Sequence, residues 1–127
     1  MSAWRREALN RLPEFRKDIA SSKNVYALWL SLFDWFQDAY EPPENTDRIR
    51  RIYDYLEWTG NQPSTNEAET DPFTAAACCF IEHIPEHAKS RADMPRWLSR
   101  SQIVEWKGIF EYQIGEDGFR SLFELWG

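Results

Sequence analysis

Glycine is scarce in this chain, with five in 127 residues and none clustered. That excludes a phosphate-cradling glycine loop and a dinucleotide fingerprint. Serine-nucleophile motifs are missing as well. Alternating apolar and polar runs are absent, so strands are not expected, and Asp117-Gly118 is followed by a helical pattern rather than a second strand. No apolar run approaches the roughly 20 residues that span a bilayer. The first twelve residues carry Arg5, Arg6 and Arg11 without an apolar stretch, so no signal peptide is expected. Cysteine is limited to Cys78 and Cys79. A ring between neighbours is strained, and two cysteines build no scaffold. Two reduced thiols in a reducing compartment are therefore expected, with no Cys-x-x-Cys redox spacing.

What the chain has in excess is aromatic surface. Trp4, Trp29, Trp35, Trp58, Trp97, Trp106 and Trp126 stand beside eight Phe and five Tyr. Aromatic side chains bury the most area, and Trp and Tyr are over-used where proteins grip one another. Trp29, Trp106 and Phe110 fall on apolar helix faces and read as core. Trp35, Trp58 and Trp97 fit those faces less well.

Charge is uneven. Residues 1–23 hold six bases and three acids, residues 34–71 ten acids and three bases, and residues 72–127 six bases and eight acids, for a net charge of −6. The middle third carries the excess. Such a field repels nucleic acid and anionic membranes and attracts a basic protein.

The periodicity predicts an all-α fold, a bundle of five to six helices in a single domain with one longer acidic loop. Residues 1–12 are expected to form a loosely attached N-terminal segment. Pro13 suits a first helical position, with Leu12, Phe15 and Ile19 at helical spacing. Ser22 is the expected cap of a helix over about 23–40, apolar on most of its circumference and ended by Pro42-Pro43. Thr46 or Asn45 caps a helix to about residue 59, with Asp47 and Arg51 paired one turn apart and Gly60 at C′. Residues 60–71 are the acidic loop. Asp71 caps a small-residue helix from Pro72 that Pro85 stops, and residues 85–95 read as irregular or as a short helical turn. Ser99 and Gln102 form a capping box, opening a helix to about Gln113 that Gly115 closes. A short helix from Asp117 ends the chain.

Two constellations could carry chemistry. Glu82, His83 and His87 could hold a metal, since histidines one helical turn apart can share Zn²⁺. Against that, Pro85 interrupts the turn, a third histidine is lacking, and a capping His83 explains the pattern without metal. The carboxylates Asp34, Asp38 and Glu41 could hold a divalent ion or form an acid–base pair, or they could form a solvated face paired with Arg48, Arg50 or Arg51. The Glu-x-x-His spacing of a di-iron site occurs nowhere. No catalytic residue and no cofactor is expected.

Tyr26-Ala27-Leu28-Trp29, Arg51-Ile52-Tyr53, Glu82-His83-Ile84-Pro85 and Met94-Pro95-Arg96-Trp97, in this order, resemble a family of small uncharacterised bacterial helical proteins. The resemblance runs from about Leu12 onward. It implies a bacterial, cytoplasmic context and brings no activity to carry over.

Composition and charge lead to a non-enzymatic binding protein, an immunity-type or antitoxin-type inhibitor of a basic partner. Its expected contacts are Asp34, Trp35, Asp38, Asp54, Glu57 and Trp58. The alternatives are a metal-dependent hydrolase or metal-binding protein built on His83 and His87, and a structural homo-oligomeric domain, a homodimer in its simplest form.

Overall fold

The computed structural model describes residues 1–63 and 71–127. Among these residues there is no strand, and there are eight α-helices rather than five or six. They are α1 (Ala3–Arg11), α2 (Arg16–Ser21), α3 (Val25–Ala39), α4 (Thr46–Gly60), α5 (Pro72–Cys79), α6 (Ala88–Trp97), α7 (Arg100–Glu105) and α8 (Lys107–Phe123). Short 3₁₀ segments lie at Pro13–Phe15, Ile81–Glu86 and Glu124–Trp126. The chain forms two compact units, Met1–Phe80 and Ile81–Gly127. No described helix is long and apolar enough to cross a membrane. Most of the acidic loop expected over 60–71, with Glu67 and Glu69, lies outside the described residues.

The first unit is built on α3, α4 and α5. Asn24, not Ser22, caps α3, accepting from the Ala27 N–H at 2.8 Å, while the Ser22 hydroxyl closes α2 by donating to the Asp18 carbonyl. Asn45 caps α4 through the Arg48 N–H. Asp71 caps α5, its Oδ2 accepting from the Thr74 N–H at 2.9 Å and the Thr74 hydroxyl at 2.7 Å. Each of these side chains satisfies an orphan donor of a first turn. Gly60 is the last residue of α4 and takes no left-handed cap conformation, so the expected C′ role falls away.

Trp29, Phe36, Tyr55 and Phe80 are fully buried, with Leu28, Leu32, Ile49 and Ile52 around them. The rings meet at 5.3 Å (Trp29–Tyr55), 5.2 Å (Trp29–Phe80) and 4.8 Å (Phe36–Phe80, edge to face). Offset and edge contacts suit the ring quadrupole. The segment 1–12 is anchored rather than trailing. Ala8 and Leu12 are buried, Tyr55 donates its hydroxyl to the Trp4 carbonyl at 2.8 Å, and Arg5 caps the end of α2 by donating to the carbonyls of Ile19, Ala20 and Ser22.

The small-residue helix ends at Cys79, one turn earlier than Pro85 alone suggested. A proline ring clashes with the carbonyl four residues back and disfavours helix in the residue before it. The clash therefore reaches Ile81, and 81–86 winds as 3₁₀.

In the second unit α6 is a ten-residue helix where an irregular segment or a short helical turn was expected. It buries Ser90 and Met94, and Ser90 donates to the Ile84 and His87 carbonyls. Pro95 lies in its last turn. The capping box of Ser99 and Gln102 forms as expected. Trp106 then leaves helical geometry (φ −95°, ψ 12°) and divides the expected 99–113 helix into α7 and α8. Gly115 breaks α8 at φ 78°, ψ 172°, the position expected to close a helix. Only glycine adopts that conformation readily.

Candidate functional site

Of the seven tryptophans only Trp29 is fully buried; the other six are half-buried, Trp106 included, which corrects its expected place in the core. Two indoles of the second unit are tied by hydrogen bonds. Trp97 donates to Asp93 at 2.8 Å and Trp126 to the Leu98 carbonyl at 2.9 Å. Trp35 and Trp58 are held instead by stacking. Trp35 lies on Phe15 with centroids 3.9 Å apart and planes 4° from parallel, and Trp58 lies on Tyr55 at 5.7 Å and 11°.

The six expected contact residues fall into two sets. Asp34, Trp35 and Asp38 share α3, with both carboxylates exposed and Trp35 half-buried. The Arg48 guanidinium carbon sits 4.9 Å from the centroid of the same Phe15 ring. Asp54, Glu57 and Trp58 share one stripe of α4, at helical spacing. With Arg11 of α1 and Asn61 they line a groove of about 240 Å³. The α3 residues are not among the described lining residues. Phe15, Arg11 and Asn61 were not singled out by sequence. Phe15 stands in the sequence only as one of an apolar row at helical spacing, and nothing local marks Arg11 and Asn61 as neighbours across two helices.

The charges of this unit are partly consumed by structure. Arg51 makes a forked pair with Glu14 (2.8 and 2.6 Å), donates to Asp47 at 2.8 Å and reaches the Arg11 carbonyl at 2.8 Å. The Arg51 hydrogen bonds hold the Glu14 carboxyl below the ordinary carboxylate value. Asp47 is lowered too, first by its hydrogen bond from Arg50 and next by Arg51. Arg50 pairs with Asp47 and, at 3.3 Å, with Asp54. The arginines expected to neutralise Asp34, Asp38 and Glu41 are therefore engaged on and beside α4, or in the case of Arg48 lie over Phe15. Asp71 is taken up as a cap. Among the described residues, Asp34, Asp38, Glu41 and Glu57 make no side-chain hydrogen bond or ion pair.

In the second unit, His83 Nδ1 lies 2.7 Å from Glu86 and Nε2 lies 3.4 Å from Glu82. Glu86 also accepts from Gln113 at 3.0 Å, and its carboxyl is held below the ordinary value, first by the His83 hydrogen bond. His87 is the exposed residue preceding α6. Among the described residues, no group of three or more His, Cys, Asp or Glu is placed to hold a metal ion. What this arrangement does is join the 81–86 segment to α8 through carboxylate and amide. The same unit has a groove of about 330 Å³ beside the Gly115 break, lined by Lys107, Glu111, Glu116, Phe119, Arg120 and Phe123.

Comparison of the chain with protein-family models, with curated proteins and with solved structures finds no match.

Proposed function

We propose that the chain is a non-enzymatic binding protein whose first unit engages a basic protein. The mode is that of an acidic immunity protein or antitoxin covering a basic active site. The observation that supports this reading is charge left without internal use. Asp34 and Asp38 are exposed on α3 beside the stacked Trp35, and Glu57 is exposed on α4 beside the stacked Trp58. Acids that stabilised the fold would be paired, as Glu14 and Asp47 are. Unpaired carboxylates flanking rigid aromatic anchors suit charge-guided encounter followed by desolvated contact.

The test is affinity capture from a lysate of the native source at low salt, with a salt-step elution. Wild-type chain and the Asp34→Asn/Asp38→Asn double variant serve as parallel baits. The expected result is one basic protein held stoichiometrically by the wild type, released by salt and depleted on the variant. Capture that is insensitive to salt and equal on both baits overturns the reading, because salt screens exposed charges beyond a Debye length of about 8–10 Å at physiological ionic strength.

A further inference from the structure

The groove between α1 and α4 has features that narrow what the partner must bring. Its wall is an indole fixed from behind: Trp58 is stacked on the buried Tyr55, so only its other face and edge are left to offer the groove. The neighbouring charges do not cancel. Arg11 is matched by Glu7 at 3.0 Å, and Asp54 meets Arg50 through Oδ2 alone. Glu57 is left over, one residue from the indole. Asn61, one turn beyond Glu57 and Trp58, also lines the groove.

We propose that this groove takes a guanidinium, the side chain of an arginine on the basic partner, stacked on Trp58 and forked onto Glu57. This rests on the reading of the acidic surface as a partner face and adds its chemistry. A planar, weakly hydrated cation gains from an aromatic face and from a carboxylate in one geometry, whereas an ammonium meets either as a point charge. Arg11 is the competitor in this site. It lines the groove and occupies Glu7, a carboxylate that would otherwise add to the attraction, so the native affinity for a single arginine is set below what the acids would give with Arg11 removed.

The probe is acetyl-triarginine amide, titrated into the full chain at low salt. The reporter is the Trp58 indole N–H resonance, assigned by its loss in Trp58→Phe. The Trp58 signal is expected to shift with triarginine and to stay in place with the neutral citrulline analogue. Glu57→Gln, an exposed change that leaves the packing intact, weakens binding about fivefold, the scale of a surface cation–π or ion pair. Arg11→Gln tightens it about twofold by removing the competing charge. An unmoved Trp58 signal, an equal response to citrulline or to trilysine, or a Glu57→Gln chain that binds unchanged overturns the proposal. The Trp35 indole separates the two levels. If Trp35 shifts with triarginine while Trp58 does not, the groove fails and the acidic face stands. If neither indole moves, both fail.

Discussion

A buried indole must place its N–H, and the tryptophans of this chain divide on how they do so. Trp97 and Trp126 donate to Asp93 and to the Leu98 carbonyl. Trp29 is the exception: its Nε1 is buried with no acceptor among the described residues. An unmade buried hydrogen bond costs about 1–3 kcal/mol, so replacing the indole by a ring without a donor relieves that penalty and offsets part of the cost of the lost volume. Trp29→Phe is expected to cost less than about 1.5 kcal/mol in urea unfolding, against about 3–5 kcal/mol for Trp29→Ala. A Trp29→Phe loss well above that bound would show that the N–H has a partner. Its neighbour Tyr55 behaves oppositely, because its hydroxyl is used, holding the Trp4 carbonyl of α1. Tyr55→Phe should cost about 1 kcal/mol. Burial pushes the Tyr55 phenol well above its ordinary 10.0. A raised value means that the folded chain holds the proton more firmly. Stability from this group is complete below pH 10 and declines as pH rises further, because only the unfolded phenol ionises readily. Tyr55→Phe should therefore flatten the alkaline limb of the stability profile, and an unchanged limb would contradict the assignment.

Most helices were legible from periodicity, while the extent of α6 and the break at Trp106 were not. The long apolar faces of α3 and α4 announce themselves, and Ser99 with Gln102 and Asp71 with Pro72 mark starts by chemistry that acts over three residues. Hidden were the full length of α6, whose buried face is a serine and a methionine, and the division at Trp106, where no proline or glycine stands. Pattern reading sees apolar spacing, and a serine satisfied by two carbonyls leaves no such trace. The candidate site was legible by half. The acids and Trp58 are one helical stripe, but Arg11 and Asn61 join them only through the docking of α1 on α4, which no local pattern states. Glycines show the same contrast between local and spatial information. Gly115, at φ 78°, ψ 172°, and Gly118, where an added Cβ would lie 2.9 Å from Ile114 Cβ, are both required by geometry. Gly115→Ala should destabilise by about 1–3 kcal/mol. Gly60 ends α4 with nothing within 4 Å of an added Cβ and no positive φ. Gly60→Ala should stabilise by about 0.5–1 kcal/mol. Thermal midpoints moving in opposite directions for the two variants are the check, and a shared sign would refute the backbone argument.

Across the whole chain the excess of acids is shared by both units: nine bases face thirteen acids in residues 1–80, and six face eight in residues 81–127. Each unit also ties one lowered carboxylate between elements. Glu14, on the 13–15 segment, is held by Arg51 of α4, and Glu86, on the 81–86 segment, by His83 and by Gln113 of α8. A lowered value means that the folded chain prefers the charged form. The stability each contributes is complete above the ordinary carboxylate value of 4.5 and is lost as pH falls below it, because protonation then favours the unfolded chain. Both sites are partly exposed, so solvent screening keeps each contribution small. The two groups belong to different units and share no partner, so their effects should add. Glu14→Gln and Glu86→Gln should each lower the thermal midpoint at pH 7 and leave it nearly unchanged at pH 3. The double variant should show the sum. A variant as destabilised at pH 3 as at pH 7 would mean that the side chain acts by packing rather than charge. A double variant no worse than the poorer single would mean that the two networks are one.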